Sequence, residues 1–190
     1  MDYQAAADLI ALTDRELWLI TSAAGDRRGG LIATFASHAS LAPELPRLLI
    51  AIAKQHHTWQ LIEASGAFAA HLLSEKNLDL VWRFGLASGR DLDKFDGLAN
   101  ETAASGAPLL DNTLGWLDCR VETRLDTGDR TVYVAEVLAA KKVLDEPPLT
   151  AKRMIELAPP DKLRRLRELR ERDCAIDAAA IRAWRAKLHS

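Results

Sequence analysis

A β-barrel with added helices is the fold class the sequence predicts, and three features predict it. Residues 117–125, Leu117-Asp118-Cys119-Arg120-Val121-Glu122-Thr123-Arg124-Leu125, alternate an apolar residue or Thr with a charged one, the period-2 pattern of a strand wet on one face. Short apolar runs at 17–20, 31–35, 48–53 and 68–73 are set apart by Gly, Pro and polar clusters, as strands of an all-β unit are. The segment after Pro159 differs, being dense in charge with Leu at helical spacing. Short strands connected partly by helices, with one long hairpin, predict a mainly β barrel with added helices. The 190 residues, 48% of them hydrophobic, suffice for one core and fall short of two ordinary domains.

Taken in order, the Ala-rich residues 4–12 predict a helix that Thr13-Asp14 ends. Leu17-Trp18-Leu19-Ile20 is a short buried strand, and Gly25-Asp26-Arg27-Arg28-Gly29-Gly30 reads as a glycine-bracketed basic turn. Leu31–Phe35 begins a second strand; Pro43 and Pro46 punctuate the passage to a third, Leu48–Ala53, buried by composition. Thr58 can cap a helix holding Trp59, Ile62 and Glu63, with Gly66 just past its end. Phe68–Leu73 is strand-like, His71 being one of its scattered polar positions, as is His38 on the strand region before it. Ser74 opens a helix with Leu78, Val81 and Trp82 on one face, followed by a glycine-punctuated loop from Gly85 to about Gly106. After the alternating strand, Asp126-Thr127-Gly128-Asp129 is a hairpin turn, and Thr131–Leu138 returns. Pro147-Pro148 closes the barrel portion. Pro159-Pro160-Asp161 starts a helix with Leu163, Leu166 and Leu169 on one side, and Ile181, Trp184 and Leu188 mark a second amphipathic helix. Residues 1–158 are thus expected to form the barrel domain and 159–190 a helical extension of it.

Charge and composition narrow the function classes. The net charge is −2, yet residues 161–190 hold 9 Lys+Arg against 5 Asp+Glu. That tail has one Trp and charges alternating through Glu168 and Glu171, which fits a solvated helix face better than a nucleic-acid surface. No apolar run reaches the roughly 18 residues of a membrane span, and Met1-Asp2-Tyr3-Gln4 lacks a secretory start. Cys119 and Cys174 have no metal-ligand spacing, so a reducing, cytoplasmic setting is expected. Adjacent His56 and His57 do not share a helix face, so no metal site is expected there. Hydrolase triads, P-loops and dinucleotide fingerprints are absent from the sequence.

One longer pattern is informative. Gly30-Leu31-Ile32-Ala33-Thr34-Phe35-Ala36-Ser37-His38-Ala39-Ser40-Leu41-Ala42-Pro43 resembles the flavin reductase-like family in its order of Gly, small and hydroxyl residues, aromatic, serines and Pro. The resemblance continues in register through Leu48–Ala53, Lys54-Gln55-His56-His57-Thr58, Ser65-Gly66-Ala67-Phe68-Ala69, Arg83-Phe84-Gly85 and Asp93-Lys94-Phe95-Asp96-Gly97. Gly106-Ala107-Pro108-Leu109 and the hairpin from Gly128-Asp129-Arg130 to Val137 complete it, over roughly residues 13–150. The resemblance implies an FMN-binding split β-barrel with the flavin, FMN or FAD, in a groove of a homodimer.

By that resemblance Ala33, Thr34, Ser37 and Ser40 hold the phosphate and ribityl chain, hydroxyls and exposed N–H groups suiting phosphate oxygens. Lys54, His56, His57 and Thr58 lie along the flavin at a helix start, where unpaired N–H groups favour an anion. Arg83 and Lys94 are candidates for flavin or nicotinamide phosphates. Many members carry His after the hairpin Gly-Asp, on the nicotinamide side; here it is Arg130, which cannot act as an acid or base near neutral pH. The implied activity is NAD(P)H-dependent flavin reduction, with electrons passed to an acceptor or partner oxygenase. The alternatives are a non-enzymatic flavin-binding electron relay and an interaction protein docking through its basic tail.

Overall fold

The computed structural model describes residues 2–90 and 92–188. Helix α1 (Tyr3–Leu12) is capped by the Asp2 carboxylate and buries none of its residues. Strands β1 (Trp18–Ala24) and β2 (Arg27–Ala33) pair around the two-residue turn Gly25-Asp26, with Gly25 at φ 62°. The turn is therefore shorter than the sequence suggested, and Arg27–Gly30 are ladder residues. Gly29 and Gly30 serve close packing: a Cβ on Gly30 would fall 2.9 Å from the Phe84 ring, and one on Gly29 2.9 Å from Leu61.

The chain continues through β3 (Ala36–His38), β4 (Arg47–Ala53), α2 (His57–Ser65), β5 (Ala67–Leu72) and α3 (Leu78–Gly85). Ser74 caps a single 3₁₀ turn, Glu75–Asn77, that leads into α3. The stretch expected to be loop contains the two-residue β6 (Glu101–Thr102), paired with β7 (Pro108–Leu109). The long hairpin is β8 (Gly115–Asp126) and β9 (Arg130–Lys142), followed by α4 (Ala151–Leu157) and α5 (Pro160–Leu188). Where two tail helices were expected there is one of 29 residues, in keeping with the lack of Gly or Pro between 161 and 188.

Seven strands form one antiparallel sheet in the order β2-β1-β5-β8-β9-β4-β3. Its two edge strands, β2 and β3, are separated in sequence only by Thr34 and Phe35. Three Cα steps reach about 11 Å, whereas seven flat strands would spread roughly 29 Å. The sheet must therefore curl until its edges approach, and the Ala51 N–H donating to Phe35 O (3.0 Å) carries the β3–β4 ladder into the link, or seam, that joins them.

Buried clusters lie on both faces of the curled sheet. Ile20, Leu31, Ile50, Ile52, Phe68, Cys119 and Tyr133 belong to one buried cluster, and Leu17, Leu19, Leu80, Phe84, Phe95, Leu149 and Met154 to another. Adjacent residues of β1, Leu19 and Ile20, go to different clusters, as strand alternation demands. Pro147-Pro148 does not end the barrel's contacts: Leu149 is fully buried and bonds through its backbone to Leu17 and Leu73. His71 is a core residue, not a scattered polar one. Its Nδ1 lies 3.1 Å from Leu19 O, and its Nε2 accepts the Leu110 N–H at 3.1 Å.

Candidate functional site

The seam leaves a groove of about 170 Å³. Leu31, Ile32, Ala33, Thr34 and Phe35 form one wall, and Ala51, Ile52 and Ala53 form another. Gln55 and His56 follow from the turn after β4, Arg130 comes from the start of β9, and Asp173 and Asp177 come from α5. The mixture, seven apolar residues beside Thr34, Gln55, His56, Arg130, Asp173 and Asp177, suits a small organic ligand with both a flat apolar part and polar groups.

Local sequence explains the geometry. The apolar residues of β4 run straight into Lys54-Gln55-His56, and the helix begins at His57, one residue before the position at which Thr58 would cap it. Thr58 is instead buried in the first turn. Helix α2 is pinned to β9 by Tyr133, whose hydroxyl donates to Glu63 Oε1 (2.7 Å), and by Trp59, whose Nε1 donates to Thr131 Oγ1 (2.9 Å). The turn is held from below by the Lys54 N–H on Asp129 O (2.9 Å) and by Lys54 Nζ on Asp126 (2.6 Å).

Gln55 stands out within the groove. Both amide atoms are buried and neither meets a protein partner, although a buried polar group ordinarily finds one. His56 is next to it; burial pulls its pKa below the ordinary imidazole value, with nearby Asp173 acting in the opposite sense. Arg130 is the most constrained cation here. Its Nε donates to Asp129 (2.5 Å), its Nη2 to Asp177 (2.6 Å), and its guanidinium lies 4.9 Å from the Phe35 ring centre. Arg15 faces the same ring at 5.0 Å.

The structure brings Ala33, Thr34, His56 and Arg130 together in the groove, with Lys54 and Thr58 in the supporting turn and helix. It does not bring Ser37, Ser40, Arg83 or Lys94 there. Ser37 lies on exposed β3, and Ser40 Oγ accepts the Ala42 N–H (3.1 Å) as a turn former. Arg83 donates to Asp96 O. Lys94 is buried, and its Nζ donates to Gly30 O (3.0 Å) and Phe84 O (2.8 Å), with burial lowering its pKa to about 8. These ammonium bonds lock α3 to β2. His57 borders a different, open basin of about 620 Å³ with Arg27, Arg28 and Arg90, and its buried Nδ1 has no partner. In that basin Arg28 is already occupied by Asp93 at 2.7 Å and stacked on Phe95.

Sequence reasoning missed Gln55, Phe35, Asp173 and Asp177 as groove residues. Phe35 and Gln55 stood inside the quoted motifs and only lacked a role. Nothing in the sequence distinguished the two aspartates from their charged neighbours. Among the described residues no His/Cys/Asp/Glu group suited to a metal ion occurs, and no helix is long and apolar enough to cross a membrane.

Comparison with known proteins agrees with this architecture. The high molecular weight rubredoxin of Moorella thermoacetica is 32% identical over 136 residues, covering 70% of this chain and 58% of that protein. HsaB, the reductase subunit of a flavin-dependent monooxygenase from Mycobacterium tuberculosis, is 36% identical over 107 residues, 56% of each chain. The chain thus spans less than three-fifths of the length of either relative. Nitrilotriacetate monooxygenase component B from Mycobacterium thermoresistibile superposes with a TM-score of 0.69 at 28% identity, covering 84% of this chain and 90% of that one. The curled sheet is accordingly the split barrel of flavin reductases. Residues 12–154 match the flavin reductase-like domain, and the chain belongs to that family.

Proposed function

We propose that the chain binds FMN, or FAD, in the seam groove, reduces it with NADH or NADPH, and passes the electrons to an acceptor or partner oxygenase. The observation that carries this reading is Gln55: a buried amide with a free donor and a free acceptor, set among apolar walls. That is what the polar edge of an otherwise flat, apolar ring system would engage. Bound flavin supplies the hydride-accepting chemistry. The chain's own residues do the rest. Ile32, Ala51 and Ile52 wall off water, Thr34 offers a hydroxyl, and Arg130 holds a fixed positive charge beside the groove. HsaB, named as a monooxygenase reductase subunit, supports an oxygenase as one kind of acceptor.

A homodimer is part of the same proposal. The apolar side of the alternating strand is uncovered towards the hairpin tip, Leu125 being 64% exposed, and Leu41 beyond the seam is 90% exposed. A two-fold partner that buried these residues would wall the groove from outside and give two equivalent sites. Cys119 and Cys174 are both free thiols, which suits work in the reducing cytoplasm.

The test is the visible spectrum of the purified chain after incubation with FMN and removal of free flavin, before and after NADH or NADPH under anaerobic conditions. Retained flavin absorbance that either dinucleotide bleaches is expected. A colourless protein would refute flavin binding, and colour that neither dinucleotide bleaches would favour the electron-relay alternative. Light scattering should give twice the monomer mass; a flavin-loaded monomer would refute the dimer.

A further inference from the structure

Helix α5 lies outside the family match, which ends at residue 154, yet it supplies part of the groove. None of its residues is buried, so it is held by local anchors rather than by a packed face. Leu166 packs against the cluster around Leu17 and Met154. Further along, Gly128 sits so close under Trp184 that a Cβ there would fall 2.6 Å from the Trp184 Cβ and 3.2 Å from Ala180 O. Between these points Asp177 binds Arg130 at 2.6 Å, and Asp173 lines the same opening.

This arrangement opposes the ligand that the groove is read as binding. With α5 in place, Arg130 faces Asp129 and Asp177, and Asp173 adds another carboxylate. The Arg130 charge is therefore already matched by its own carboxylates, and Asp173 by Arg172 at 2.8 Å, which leaves little for a phosphate. The space is also small: about 170 Å³ in the structure, against roughly 300 Å³ or more for a small-molecule pocket. Asp177 stands where an anionic group of a ligand would be drawn by the guanidinium, and burial raises its pKa, so its charge is held at some expense.

We propose that α5 is a strap that closes the groove, held there by the Asp177–Arg130 ion pair until an incoming ligand displaces it. The strap rests on the flavin reading above and adds regulation to that same site. It lowers apparent affinity by the fraction of time it is closed, and anything that draws α5 away raises affinity without altering the groove itself.

The test uses the full chain as wild type, Asp177→Asn and Trp184→Ala, each titrated with FMN by fluorescence. Hydrogen–deuterium exchange follows residues 173–187 with and without FMN. Both variants should bind FMN about three- to tenfold more tightly than wild type. FMN should also speed amide exchange across 173–187 in the wild type. Affinity that is unchanged or weaker in both variants, or exchange that FMN leaves as it was, would overturn the strap while the flavin reading stands. Failure of all three proteins to bind FMN would instead overturn the flavin reading, and the strap with it.

Discussion

His71 should make the stability of this protein depend on pH below neutrality. The imidazole is fully buried between β1 and the segment after β7. Because Nε2 accepts the Leu110 N–H, the ring proton must sit on Nδ1, where it is donated to Leu19 O. Protonating Nε2 would turn an acceptor into a donor facing another donor. Burial is the main cause that depresses the pKa from its ordinary 6.5 to about 4, while the Leu19 carbonyl and Asp111 pull weakly the other way. The unfolded chain takes up a proton below pH 6.5 and the folded chain only below about 4. The stabilisation is therefore complete above 6.5 and is lost as the pH falls between those values. The full difference is about 3 kcal/mol, of which about 2 kcal/mol is gone by pH 5. His71→Leu removes the titration but orphans one buried donor and one acceptor, so at pH 7.5 it should cost about 2–4 kcal/mol. Urea unfolding of both proteins at pH 7.5 and pH 5 decides the matter. The wild type should lose about 2 kcal/mol more than the variant on acidification; equal losses would refute the assignment of a buried, neutral His71.

Other perturbations address the site and its scaffold. Arg130→Ala should raise the KM for NADH or NADPH about tenfold, with a smaller effect on flavin affinity, and Arg130→His should recover part of the loss; unchanged steady-state constants would remove Arg130 from the site. Gln55→Leu should weaken FMN and riboflavin alike, by about tenfold, since the amide is read as meeting the ring that both share; a loss confined to FMN would place it at the phosphate instead. Gly30→Ala should destabilise the fold by about 1–3 kcal/mol, because its Cβ would press on the Phe84 ring at 2.9 Å and on Ile20 O at 3.1 Å; thermal melts at wild-type Tm would refute that packing argument.

Much of the fold was legible because strand alternation and turn chemistry are local signals. The 117–125 pattern located β8, and Cys119 is buried as it predicts. The pattern fails where the structure adds something non-local. Register shifts at Asp118/Cys119 and Val121/Thr123 let Asp118 turn inward as well, where it accepts the Ser105 N–H (3.2 Å) and hydroxyl. Gly29-Gly30 was misread because a glycine kept for a turn and one kept for close packing look the same in sequence. The site divides in the same way. Thr34, His56 and Arg130 came from motif order, and the groove gathers them. Ser37 and Ser40 have the chemistry of phosphate ligands, but strand pairing and a turn place them elsewhere. Asp177 was illegible because its partner, Arg130, is 47 residues away, and alternating helix charges do not reveal which carboxylate will face a barrel.

The topology also explains why these residues meet at all. Thr34 and Phe35 are the only residues between the two edge strands, so the link that closes the barrel is also a wall of the groove. A link this short leaves little slack: lengthening it would let the edges part, while shortening it would strain the curl. Phe35, fixed there, lies beside Arg15 on one hand and Arg130 on the other. The position of Arg130 is set in turn by the β8–β9 turn, whose Gly128 leaves room for α5 to approach. Barrel closure, placement of the cation and access by the strap therefore depend on one small region. A change at the seam should alter ligand affinity and the seating of α5 together, whereas a change at buried Lys94, which ties α3 to β2 away from the groove, should alter stability alone.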